Sequence, residues 1–116
     1  MLYYDPIDLL EHFDTERVLD EEAGIFEYTV ISIDKLKLTL QMNVYEDTAF
    51  FTLTSKDDFN IIDFGLENIT TVRCDKNNPG IVRFLFYKEN EEHPVVTAYI
   101  KPRVSLFLDI EQKGPY

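Results

Sequence analysis

A chain of 116 residues with a formal net charge of −11 is of single-domain size, long enough to bury about two-thirds of its unfolded surface in a core of its own. Its 45% hydrophobic content argues against intrinsic disorder, its five Pro and four Gly exclude fibrous and low-complexity classes, and its acidity opposes nonspecific nucleic-acid binding, which needs clustered Lys and Arg. No apolar run approaches the ~18 residues of a membrane span, no basic-then-apolar signal segment is recognised, and the lone Cys74 has no intramolecular disulfide partner, so a cytoplasmic setting is expected.

The opening carries helix-start chemistry. Asp5 suits an N-cap, Pro6 the first helical position, and Asp8 the first turn, while Tyr4 and Leu9 are spaced as a hydrophobic staple. The pattern predicts a short helix over residues 6–13, with Ile7, Leu10 and Phe13 on its apolar face and His12 on its flank near the C-terminal end, where a protonated imidazole suits the helix dipole. Residues 14–24 are acidic and weakly patterned, and read as a connecting loop or helical turn.

From Ile25 the period changes from 3.6 to 2 and an antiparallel β region runs over residues 25–111. Residues 25–33 form its first strand. In the next, Leu36, Leu38, Leu40, Met42 and Val44 alternate with Lys35, Lys37, Thr39, Gln41 and Asn43, the mark of a strand with one dry face and one wet face. Further strands are expected over 48–55, 69–74, 81–88 and 95–101, with an ambiguous one over 61–66. Val104, Leu106, Leu108 and Ile110 repeat the alternation, with Phe107 out of phase. Connections this short exclude βαβ crossovers. Several strands are apolar on both faces, which one open sheet cannot cover. The expected fold is therefore mainly β (α+β), an antiparallel meander of seven or eight strands forming a sandwich or partial barrel, with the N-terminal helix packed against it in a single domain spanning 1–116.

Chemistry is sparse. Ser32, Ser55 and Ser105 lie in no recognisable nucleophile elbow, Cys74 reads as an inert thiol, and His12 and His93 have no second His or Cys at ligand spacing. Asp57-Asp58 and Glu89/Glu91/Glu92 do not match a calcium loop, and Asp63 with Asp109 makes an acid–base couple only if a cleft joins them. Gly24, Gly65, Gly80 and Gly114 are isolated, so no phosphate cradle is present, and the Asn68-Ile69-Thr70 sequon is a chance match in a cytoplasmic chain. No catalytic, cofactor or metal residues are assigned. Tyr3, Tyr4, Tyr45, Phe50 or Phe51, and Phe107 are candidates for exposed aromatics, either as interface anchors or as a second small core beneath the helix.

Charge is the remaining signal. The first 27 residues hold nine acids and one base, Arg17, a formal −8, whereas the other 89 hold 13 acids and 10 bases, a formal −3. A single-sign field repels itself, and its use is to steer and select a basic partner. The expected role is a small acidic inhibitor, not an enzyme, of the immunity-protein kind that occludes a basic toxin or nuclease, with Glu11, Asp14, Glu16, Asp20, Glu21 and Glu22 as the partner-binding residues. Two alternatives stand beside it. One is a DNA mimic, although Lys35, Lys37, Lys101 and Arg103 interrupt its acidic rows. The other is a small-ligand carrier or enzyme with a site in a β-barrel mouth, marked by Arg73 or Arg83 pointing into an apolar interior.

Overall fold

The computed structural model describes residues 1–109; Ile110, Gly114 and the expected strand end at 111 lie outside them. One helix, α1 (Pro6–His12), precedes nine strands: β1 (Thr15–Asp20), β2 (Ile25–Ile31), β3 (Lys37–Asn43), β4 (Thr48–Thr54), β5 (Asn60–Leu66), β6 (Ile69–Asp75), β7 (Val82–Lys88), β8 (Val96–Lys101) and β9 (Ser105–Leu108). All neighbouring strands pair antiparallel. They form two meanders in chain order, a five-stranded sheet β1–β5 and a four-stranded sheet β6–β9.

The antiparallel, mainly β fold read from the sequence is the one observed, as two separate sheets sharing one core. Leu38, Leu40 and Met42 from β3 and Ala49 and Phe51 from β4 face Phe84 and Phe86 from β7 and Val96, Ala98 and Ile100 from β8. Phe51 bridges the layers, stacked on Phe64 of β5 at 5.0 Å and edge-on to Phe86 at 4.8 Å. Such aromatic pairs contribute about 0.5–1.5 kcal/mol beyond their buried area.

Asp5 caps α1 as expected, its Oδ1 accepting the Ile7 N–H at 2.9 Å. The helix is turned differently from the sequence expectation. Leu9 and Phe13 are buried, whereas Ile7 and Leu10 are exposed. Phe13 decides the rotation. Its ring lies between Tyr28 of β2 (5.9 Å) and Phe84 of β7 (5.5 Å), closing the gap between the sheets, and Leu9 one turn earlier follows it inward.

The segment before the helix ties the two layers. The Leu2 N–H donates to the Val44 carbonyl after β3 (2.9 Å), and Tyr3 makes a parallel bridge to Thr71, donating to the Thr70 carbonyl (2.8 Å) and accepting from the Val72 N–H (2.9 Å). This covers the edge of β6. A second tie joins Ser32, after β2, to the β8–β9 connection: the Val104 N–H donates to the buried Ser32 Oγ at 3.0 Å.

The largest local correction concerns residues 14–24. Where a loop was expected, β1 pairs with β2 from Thr15↔Thr29 to Asp20↔Ile25. All six residues of β1 are exposed, because it is an edge strand wet on both faces, and such a strand needs no period-2 pattern. The hairpin turn closes at Gly24, whose φ of +69° suits glycine, and a Cβ there would meet the Tyr45 ring at 2.9 Å. The ambiguous segment 61–66 belongs to β5, the opposite edge. Phe50 of β4 lies over its Gly65, where an added Cβ would approach the ring to 2.5 Å.

Candidate functional site

The acidic residues of the opening separate into four environments. Glu11, on α1, pairs with Lys76 beyond β6 at 3.4 Å, and the same ammonium lies 3.7 Å from Asp8. These carboxylates hold the Lys76 pKa above its ordinary value. Asp14, at the base of the β1–β2 hairpin, accepts the Ile31 N–H at 2.7 Å, and so fastens the start of β1 to the end of β2. Glu16, near the start of β1, accepts from the buried Tyr28 hydroxyl at 2.6 Å. Burial first, and then this contact with Glu16, drive the Tyr28 pKa far upward, keeping the phenol neutral. At the hairpin tip Asp20 accepts the Ala23 N–H at 3.0 Å.

Glu21 and Glu22 complete the tip. Their carboxylates are exposed and have no hydrogen-bond or ion-pair partner among the described residues. The six candidate residues are thus not one cluster. Five lie along a single hairpin, Asp14 at its base, Glu16 near the start of β1, and Asp20, Glu21 and Glu22 at the tip; of its strand residues, Arg17 stands opposite Glu27 in the register. Glu11 belongs to the neighbouring helix. Asp14, Glu16 and Asp20 are engaged by internal hydrogen bonds, which leaves Glu21 and Glu22 as the hairpin carboxylates without one among the described residues.

Other sequence candidates fall as follows. Arg73 and Arg83 do not point inward. Their strand neighbours Val72, Val82 and Phe84 face the core, so both arginines lie on the outer face of the four-stranded sheet. A barrel-mouth carrier marked by these residues is therefore not what the chain builds. Asp63 lies in β5 of one sheet and Asp109 just past β9 of the other, both exposed, and Asp63 accepts from the Asn60 side chain at 2.8 Å. Among the described residues no three or more His, Cys, Asp or Glu side chains assemble in a metal-binding group. Burial raises the half-buried Cys74 thiol pKa, with Asp8 adding to it, which makes the thiol less reactive. Phe107 does face away from the core, 61% exposed. Tyr3, Tyr45 and Phe50 are exposed as well, Tyr4 is half-buried against Tyr28, and Phe51 is fully inside.

The outer face of the four-stranded sheet went unread as a surface. Across β6, β7, β8 and β9 the register aligns Arg73, Leu85, Thr97 and Phe107 in one row and Asp75, Arg83, Tyr99 and Ser105 in the next. Arg83 is clamped to Asp75 by two 2.7 Å contacts, from Nε and Nη2, and lies over the Tyr99 ring at 5.9 Å. The Asn77 N–H and then this guanidinium hold the Asp75 carboxyl below its usual range. Arg73 lies over Tyr87 at 5.2 Å, and Phe107 meets Tyr99 edge-on at 5.4 Å. The available signal was the alternation Arg83-Leu85-Tyr87 opposite Val82-Phe84-Phe86, visible once both rows of β7 are read.

No family model matches the sequence, and no curated protein matches it. Among solved structures the chain is similar to a chain of the contact-dependent growth inhibition toxin–immunity protein complex from Klebsiella pneumoniae 342. The TM-score is 0.76 and the identity 14%, with 91% of this chain and 93% of that one covered. The likeness is one of fold.

Proposed function

We propose that this chain is an immunity-type protein, a small cytoplasmic binding protein and not an enzyme, which neutralises a basic toxin or nuclease by occlusion. The observation that carries the reading is the fold likeness to a chain of a toxin–immunity protein complex, which extends over nearly the whole of both chains. The net charge of −11 supports a basic partner, and the β1–β2 hairpin supplies the surface that would meet it. In this reading Glu21 and Glu22 steer the partner. Asp14, Glu16 and Asp20 hold the hairpin rigid and add to its field, and Glu11 extends the field onto the helix.

The test has two arms. Where a toxin-like reading frame adjoins the gene, expressing it should arrest growth, and co-expression of the chain should relieve the arrest; no relief would sink the immunity reading. With the purified pair, Glu21→Gln together with Glu22→Gln should slow association several-fold and flatten its dependence on salt, with folding stability unchanged or slightly raised. Unchanged association kinetics would remove the steering role while leaving occlusion intact. Glu16 and Asp20 are kept in this variant because their internal hydrogen bonds would confound the result.

A further inference from the structure

The two layers of the sandwich differ in sign. Strands β1–β5 carry four acids (Glu16, Asp20, Glu27, Asp63) against two bases (Arg17, Lys37), a formal −2, whereas β6–β9 carry Arg73, Arg83, Lys88 and Lys101 against Asp75 alone, a formal +3. The connections temper this excess, because Glu89, Glu91 and Glu92 follow β7, with Glu91 and Glu92 lining the same depression as Arg73 and Tyr87; residues 69–109 together hold six bases and five acids, a formal +1 in a chain of net charge −11. The outer face of the sheet holds Tyr87, Tyr99, Leu85 and the exposed Phe107 beside two arginines. Arg, Tyr and Phe are the residue types enriched at the energetic centres of protein interfaces.

We infer that this face is a second binding surface, one that docks an acidic segment of another protein, with Arg73 as the carboxylate receptor and Phe107 with Leu85 as the apolar anchor. The two arginines divide the work. Arg83 spends Nε and Nη2 on Asp75 and Nη1 on the Tyr99 hydroxyl at 3.4 Å, and so acts as scaffold. The Arg73 guanidinium has no hydrogen-bond or ion-pair partner among the described residues, yet it is held against the Tyr87 ring. A planar fork of N–H donors already positioned on an aromatic surface loses little freedom on meeting a carboxylate, which it binds through two parallel hydrogen bonds.

The same geometry disfavours other occupants. A single-stranded nucleic acid would need free aromatic faces for its bases, but guanidinium groups lie over Tyr87 and Tyr99. A second copy docking through the same face would set its own Arg73 and Arg83 against these two, whereas an acidic segment brings carboxylates to them. The surface belongs to the layer opposite the acidic hairpin, and the inference stands whether or not the toxin reading does.

The experiment is an amide NMR titration of the full chain with a capped oligoglutamate peptide carrying a central phenylalanine, with oligothymidylate as the rival probe. The peptide should shift amides of Arg73, Leu85, Thr97, Tyr99 and Phe107. Arg73→Ala should weaken binding several-fold, Arg73→Lys should recover part of it, and Arg17→Ala, the same charge change on the other sheet, should leave it unaltered. Four results would overturn the inference: no binding, equal weakening by Arg17→Ala, shifts scattered over surface lysines, or tighter binding of oligothymidylate to this face. Sedimentation of the peptide-free chain provides a further check. A mass that rises with concentration and falls back in Arg73→Ala would give the face to a second copy instead.

Discussion

His12 is the side chain whose surroundings conflict most with its charge. Its ring lies edge-on to Phe84 at 6.3 Å, and both ring nitrogens are buried without a hydrogen-bond partner, the nearest carboxylate oxygen, of Glu11, being 3.8 Å from Nε2. Burial, and then the nearby Lys76 ammonium with a smaller effect from Lys101, push its pKa below 6.5 against the opposing pull of Glu11 and Asp8. The protonated imidazole expected at the helix end is therefore not favoured; the neutral ring fits, at the expense of an unsatisfied polar group. Because the folded pKa is depressed, the unfolded chain takes up its proton first as pH falls. The stability due to neutral His12 is present in full above about pH 6.5 and is lost as pH falls through the folded value. His12→Leu should make stability less dependent on pH between neutral and mildly acidic conditions than it is in the parent chain. Urea denaturation of both proteins at two pH values measures this, and equal pH dependence would show that His12 is not the group responsible.

Individual strands report their environment through alternation, and β3 does so most clearly. Leu38 and Leu40 are 0% and 1% exposed, while Lys37 and Thr39 lie on the half-exposed outer face between β2 and β4. Leu38→Ala or Leu40→Ala should cost about 2–5 kcal/mol, because each leaves a cavity between two sheets that cannot collapse onto it. Thr39→Ala should cost under about 1 kcal/mol, since it removes cross-strand contacts with Thr29 and Thr52 but opens no cavity. Chemical denaturation of the three variants checks the contrast, and similar losses would mean that the outer face is covered. The core strands were legible because one side of each is dry. β1 was not, since an edge strand wet on both sides leaves no periodic trace, and the seven-residue α1 offers both Ile7/Leu10 and Leu9/Phe13 as apolar spacings, a choice made only by the sheets it closes. The acidity of the candidate hairpin could be read from composition. That three of its acids are engaged by Ile31, Tyr28 and Ala23 could not, because those partners become neighbours only once the hairpin forms.

At the scale of the whole molecule the sequence concealed how charge is distributed, because the sign of a layer depends on which strands share a sheet. The meander settles this simply: residues 15–66 build the acidic layer and residues 69–108 the basic one, joined by the two-residue link Glu67–Asn68. Every strand pairing within the layers is thus between neighbours in the chain, and among the described residues the parallel bridge from Tyr3 to Thr71 is the isolated exception. This arrangement orders events in time. Each sheet can zip hairpin by hairpin through short loop closures, whereas Tyr3 must wait for a partner almost seventy residues away, so the clasp should close late, after the rate-limiting barrier. Tyr3→Pro deletes the N–H donated to Thr70 while Tyr3→Ala removes only a side chain that is 65% exposed, so proline should cost about 1–3 kcal/mol more than alanine. Stopped-flow folding in denaturant shows where that cost falls. A late clasp puts nearly all of it into faster unfolding with the refolding rate unchanged, and a slowed refolding limb would mean that the first residues help to nucleate the sandwich they later hold shut.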